Sequence, residues 1–233
     1  MALPKQQSPK YKCILPSDKR EVEYRPFQVK EQKVLMMAQE QEDDAAMFRA
    51  VKDLIGSVTF GKVKADTLPI LDMEYLFLKI RSKSIGETAN IVVNCNDSEC
   101  KGSGEAVINL DDVEVVGEEP DNKIMISDEL GVELRYPRIS DVQEEDQGNS
   151  ALSTLELLKS CIVTIFDEEE VYTVADASTN ELNEFVDSLS MNQLNLITEY
   201  FDSLPSLEKK VTTECGTCGK EINALVKGLQ SFF

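Results

Sequence analysis

The chain has 233 residues and a formal charge of −19, from 43 acidic against 24 basic residues, with 42% hydrophobic residues and no histidine. That length exceeds the ~100–150 residues common for one domain, and the charge opposes the phosphate-neutralising surface on which duplex or RNA binding depends. The missing histidine removes the commonest general acid–base group, Ser-His and Cys-His nucleophile pairs, and imidazole zinc ligands, leaving carboxylates, lysines and thiols for any chemistry.

The opening MALPKQQSPKYKC has charges and prolines where a secretory signal needs an apolar core. No run reaches the ~18 apolar residues of a membrane span, so a soluble, cytosolic chain is expected. In such a chain the six cysteines are expected reduced, in a metal site or in the core, and not in disulfides.

Residues 1–15 read as a mobile arm, Lys-, Gln- and Pro-rich. In YKCILPSDKREVEYRPF, alternation around a Ser17-Asp18-Lys19 turn reads as a β-hairpin. From Val29 the apolar spacing becomes helical, giving two helices joined near QEQEDDA, the second ending at Gly56. A third helix of about four turns is expected before Gly86, capped by Asp66 or Thr67, with Leu71, Tyr75, Phe77 and Leu78 on its apolar face.

TANIVVNC and GEAVINLDDVEVV are strand-like and flank Cys95 and Cys100. KIMISD and VELRYPRI surround an Asp128-Glu129-Leu130-Gly131 turn, a further hairpin, and DVQEEDQGNS behind it reads as a loop. ALSTLELLKSCIVTIF has helical spacing through Ile162, which places Cys161 at a buried face. Helices follow at about 180–189 and 191–204, stopped by Pro205, and the last residues return to strand around Cys215 and Cys218. The organisation expected is a 1–15 arm, an N-terminal hairpin and helices over 16–86, a first cysteine hairpin over 87–120, a hairpin and helices over 121–204, and a second cysteine hairpin over 205–233 packing with the first. The fold class is α+β: a mainly helical body with an N-terminal hairpin and a zinc-ribbon-like pair of cysteine hairpins.

ANIVVNCNDSECKGSGEAVINL and EKKVTTECGTCGKEINALV share one plan: strand, two cysteines around a polar turn, glycine, strand. Zinc takes four tetrahedral ligands, and two such knuckles facing each other supply them as Cys95, Cys100, Cys215 and Cys218. Glycine after Cys218 lets amides turn toward sulfur, and Lys220 offsets thiolate charge. A thiol–disulfide pair at CGTC and four metal-free thiols are the competing readings. The redox reading lacks the helix start after Cys218 that lowers a thiol pKa. A four-cysteine site is closed, hence structural, with one Zn2+ per chain. Cys13 and Cys161 lie in apolar periodic contexts and read as core. The carboxylate runs read as solvated surface, and no glycine pattern cradles phosphate.

EVEYRPFQVKEQKVLMMAQEQED, a hairpin end and a Tyr-Arg-Pro-Phe corner before a helix, resembles the baseplate hub assembly proteins of T-even-like contractile-tailed bacteriophages. NELNEFVDSLSMNQLNLITEYFDSLPSLEKKV, running into Cys-x-x-Cys, is similar to the same family's helical tail. The resemblance implies a non-enzymatic morphogenesis protein that helps build the baseplate hub, with other hub or tail assembly proteins as partners. It would work in the host cytoplasm during assembly or in the virion tail. A zinc-ribbon adaptor in a nucleic-acid complex is the alternative, and a thiol enzyme the third class. Arg25, Phe27, Met36 and Met37 are residue types favoured at interfaces and are candidate partner-binding residues, with core and cap as their competing role.

Overall fold

Alternating side chains at 11–14 and 21–24 do form the expected hairpin. The computed structural model describes residues 7–41, 44–141 and 150–228. They fall into two units: 117–205 is one, and the chain before and after it is the other. The mixed helix and sheet content is α+β, as expected. Helices occur in both units, however, and not in one body.

In the first unit β1 (Tyr11–Ile14) pairs antiparallel with β2 (Glu21–Tyr24). The hairpin thus begins inside the stretch read as an arm. Ser17 in its turn donates both its N–H, at 2.9 Å, and its hydroxyl to the buried carboxylate of Asp72. Helix α1 (Val29–Glu40) opens on a reciprocal cap in which the Gln28 N–H reaches Glu31 Oε2 at 2.8 Å. Helix α2 (Asp44–Val58) runs through Gly56, contrary to expectation. It ends where Phe60 (φ 60°) and Gly61 (φ 71°) turn left-handed and the Gly61 N–H returns to the Gly56 carbonyl. Helix α3 (Ile70–Ser84) starts after Pro69, because 65–67 form a separate 3-10 turn and not its cap. It buries Leu71, Met73, Leu76, Phe77, Leu78 and Ile80, while Tyr75 stays half-buried. Strands β3 (Thr88–Asn94) and β4 (Ser103–Asn109) pair antiparallel from Thr88↔Asn109 to Asn94↔Ser103. A 3-10 turn over Leu110–Asp112 leads into β5 (Glu114–Val116).

The second unit is a four-stranded antiparallel sheet of β6 (Lys123–Met125), β7 (Gly131–Leu134), β8 (Ile162–Phe166) and β9 (Val171–Thr173), in that order. The helical spacing read through Ile162 stops at α4 (Ser150–Ser160). The branched run Ile162-Val163-Thr164-Ile165 becomes β8 instead, since such side chains pack well on a pleated sheet. Of the loop expected at 141–150, residues 142–149 lie outside the described residues, while Asp141 ends a 3-10 turn and Ser150 opens α4. Helices α5 (Thr179–Asp187) and α6 (Met191–Ser203) match expectation, each opened by a serine cap, Ser178 and Ser190. Val132, Leu134, Leu158, Ile162, Val186, Ile197 and Tyr200 form this unit's core.

The chain then returns to the first unit as β10 (Ser206–Glu214) and β11 (Glu221–Lys227). β10 pairs with β11 from Glu208 to Glu214 and with β5 through Ser206–Glu208.

Candidate metal centre

Cys95 is the residue after β3, and Cys215 the residue after β10. Each starts a short reversal that brings a second cysteine back beside it. In the first knuckle the Cys95 N–H donates to the Gly102 carbonyl at 2.9 Å and the Cys100 N–H to the Asp97 carbonyl at 3.0 Å. In the second the Cys215 N–H donates to the Lys220 carbonyl at 2.8 Å and the Gly219 N–H to the Cys215 carbonyl at 2.9 Å. Gly219 sits at φ 71°, a conformation that side chains with a Cβ disfavour.

The knuckles dock through hydrogen bonds onto backbone carbonyls. The Gly216 N–H donates to the Ser103 carbonyl at 2.9 Å, Thr213 Oγ1 to the Glu105 carbonyl at 2.7 Å, and Asn96 Nδ2 to the Asn223 carbonyl at 2.9 Å. Lys220 pairs with Asp97 across the two turns, which holds the Asp97 carboxyl below the usual carboxylate range. Gly102 and Gly104 make this approach possible. A Cβ on Gly102 would stand 2.4 Å from Thr217 Oγ1 and 2.9 Å from Cys215 Sγ, and one on Gly104 2.6 Å from the Glu214 carbonyl. From the sequence this GSG is weighed only as a phosphate cradle, which its pattern does not fit; its place one residue beyond Cys100 is the signal that points to the knuckle.

The docking brings all four sulfurs within 4.8 Å of one another. Cys95 and Cys218 lie 3.7 Å apart across the knuckles, as do Cys100 and Cys215. A regular tetrahedron with arms of ~2.3 Å has edges of about 3.8 Å, whereas a disulfide needs ~2.05 Å. The four thiols are therefore unbridged and close enough to bind one metal ion.

Their acidities differ for local reasons. The N–H groups of Cys218 and Thr217 point at Cys215 and lower its pKa. At Cys100 the Gly102 N–H favours a thiolate, but the neighbouring thiol of Cys218 and lost hydration outweigh it and push the thiol up. At Cys95 the Asp97 N–H is likewise outweighed by lost hydration and by Cys218. One thiolate forms readily here, and further ones repel it unless a cation shares the cluster.

The two other cysteines stand outside the cluster. Burial pushes Cys161 and the half-buried Cys13 each up to about 11, as suits packed thiols. Of the four candidate partner-binding residues, Arg25 and Phe27 are taken off the surface. The Arg25 guanidinium bonds the Pro26 carbonyl, Glu31 and Ser57, and Phe27 is core with its N–H on Ser84 Oγ. Met36 and Met37 are exposed on α1, at 51% and 63%.

Among the described residues, no helix is long and apolar enough to cross a membrane. No curated protein and no solved structure matches the chain. A family model described as T4 bacteriophage base plate protein matches residues 8–233, from the first hairpin through both cysteine knuckles, and the chain belongs to that family.

Proposed function

We propose that the chain is a non-enzymatic morphogenesis protein of the phage baseplate hub, held together by one structural Zn2+ on Cys95, Cys100, Cys215 and Cys218. The observation that supports the metal is four sulfurs gathered within 4.8 Å of one another, with the two pairs at 3.7 Å close to the edge of a zinc tetrahedron. Such a site has no position left for water or substrate, so its role is to tie the C-terminal hairpin to the mid-chain hairpin. Support for the assembly role comes from membership of the baseplate family and from a histidine-free sequence. Met36 and Met37 form the docking point for another hub or tail assembly protein, since adaptable thioethers on an exposed helix suit an interface. It meets those partners in the host cytoplasm as the tail is built.

Purified hub proteins of the same phage, mixed with the full chain, test this. A stable complex that weakens at least about tenfold in M36D/M37D is expected. Absence of any hub complex, or a complex indifferent to both methionines, would refute the corresponding part.

A further inference from the structure

The two units differ sharply in charge. Residues 117–205 carry 21 Asp and Glu against 4 Lys and Arg, or −17, while the rest of the chain carries 22 against 20, or −2. Of the basic residues in 117–205, Arg135 is committed to Asp141 and Lys159 to Glu156.

The sheet of this acidic unit ends in an open edge. β9 pairs with β8 through Thr164↔Thr173, Ile165↔Tyr172 and Phe166↔Val171, and among the described residues no strand pairs with its other side. The Asp167 N–H closes the turn on the Glu170 carbonyl at 3.0 Å. Counting from that bond, the antiparallel alternation turns Tyr172 toward β8 and leaves the N–H and C=O of Val171 and the N–H of Thr173 facing outward, the Thr173 carbonyl opening the 3-10 turn over Val174–Asp176.

Beside that edge lies an apolar row. Met125, Gly131, Phe166 and Val171 are cross-strand neighbours on one face. They lie opposite the row of Ile124, Val132 and Ile165 that joins the core. A Cβ on Gly131 would stand 2.3 Å from Phe166 Cζ and 3.0 Å from Met125 Sδ, so both side chains lean over the glycine. Val171, 69% exposed, ends the row at the open edge. Both turns at this end of the sheet are acidic: Asp128 and Glu129 in one, Asp167 through Glu170 in the other.

We propose that the β9 edge is a docking site for an extended, lysine- or arginine-rich segment of a partner protein, which adds as a fifth strand. Its backbone bonds Val171 and Thr173, an apolar side chain extends the Met125–Phe166–Val171 row, and its cations meet the carboxylates of the turns. Edge strands are commonly guarded by charge against unwanted pairing. Here the guard is acidic, so it repels nucleic acid, anionic lipid and a second copy of the −17 unit, and admits a basic polypeptide. The inference is independent of the hub reading.

Labelled synthetic peptides titrated into the full chain test it by fluorescence anisotropy. One alternates lysine with valine, a second lysine with serine, a third glutamate with valine. The lysine–valine peptide is expected to bind at least about tenfold more tightly than the others and to slow amide exchange at Val171 and Thr173. Val171→Lys should lower its affinity about tenfold, whereas Leu225→Lys, the same charge change at an exposed position of β11, should alter it less than about threefold. Equal binding of the lysine–serine peptide, equal loss in both variants, unchanged exchange at β9, or no binding would overturn the proposal.

Discussion

Arg25 and Glu31 meet at 2.9 Å with side chains only 13% and 9% exposed, and the same arrangement recurs at Arg135 and Asp141. Each arginine directly follows a hairpin strand, bonds the carbonyl of the next residue, and grips a carboxylate six positions on. Each carboxylate also accepts an N–H from three residues before it, Gln28 or Arg138. The backbone N–H of each arginine reaches a carbonyl at the end of a later helix, Val58 at 3.0 Å and Cys161 at 2.9 Å. One small device thus sets the chain direction after the first hairpin of each unit. The Tyr-Arg-Pro-Phe corner that carried the family resemblance contains one copy of it.

Breaking this pair leaves a buried guanidinium without its counter-charge. Glu31→Gln is expected to cost about 2–3 kcal/mol in denaturant unfolding, far more than the loss of an exposed pair such as Lys12–Glu21.

The acid limb of stability should report the same carboxyl. Burial alone would raise Glu31, but the Arg25 guanidinium, the Gln28 N–H and the Ser57 hydroxyl outweigh it and hold the group at about 2. Because the folded value is depressed, this stabilisation is complete above the unfolded value of ~4.3 and is lost as pH falls toward 2. Asp72 has the opposite sign: burial dominates and raises it despite Ser17, so its charged form opposes folding as pH rises through that raised value. Unfolding curves between pH 2 and 7, with limits set by those values, should therefore flatten for Glu31→Gln. For Asp72→Asn they should steepen.

Knuckle docking should depend on the two glycines of GSG. Gly104→Ala would drive a Cβ into the Glu214 backbone carbonyl at 2.6 Å and is expected to cost about 1–3 kcal/mol and to speed metal loss to a chelator. Gly216→Ala meets nothing nearer than the Ser103 carbonyl at 3.5 Å and should behave as wild type in both measurements.

By contrast, the Lys220–Asp97 pair is a minor contributor. Lys220 is 66% exposed, so Lys220→Ala should change stability by less than about 1 kcal/mol and leave metal content unaltered.

The cysteine cluster was legible because each pair sits between two strand-like runs, and both hairpins formed with the cysteines at their tips. The close approach was not legible, since it depends on absent side chains at Gly102 and Gly104 and on backbone bonds such as Gly216 to Ser103. Helix limits failed where periodicity continued across a boundary. Leu155, Leu158 and Ile162 keep helical spacing although the chain has already turned into β8 at Ile162. Gly56 stands just after the periodic residues Leu54 and Ile55, the usual place of a C-terminal stop, yet the actual stop is the left-handed pair Phe60-Gly61. The division at Gly117 and Pro205 is a tertiary property: β5 must find β10 across 89 intervening residues before the unit closes. The concentration of charge between those limits was visible only once the limits were known.

Metal analysis of the purified protein decides the central claim. About one zinc per chain is expected, retained in Cys13→Ser and Cys161→Ser and lost, together with stability, in serine variants of Cys95, Cys100, Cys215 or Cys218. Native, stable protein that carries no metal and forms a reversible Cys215–Cys218 disulfide would contradict it.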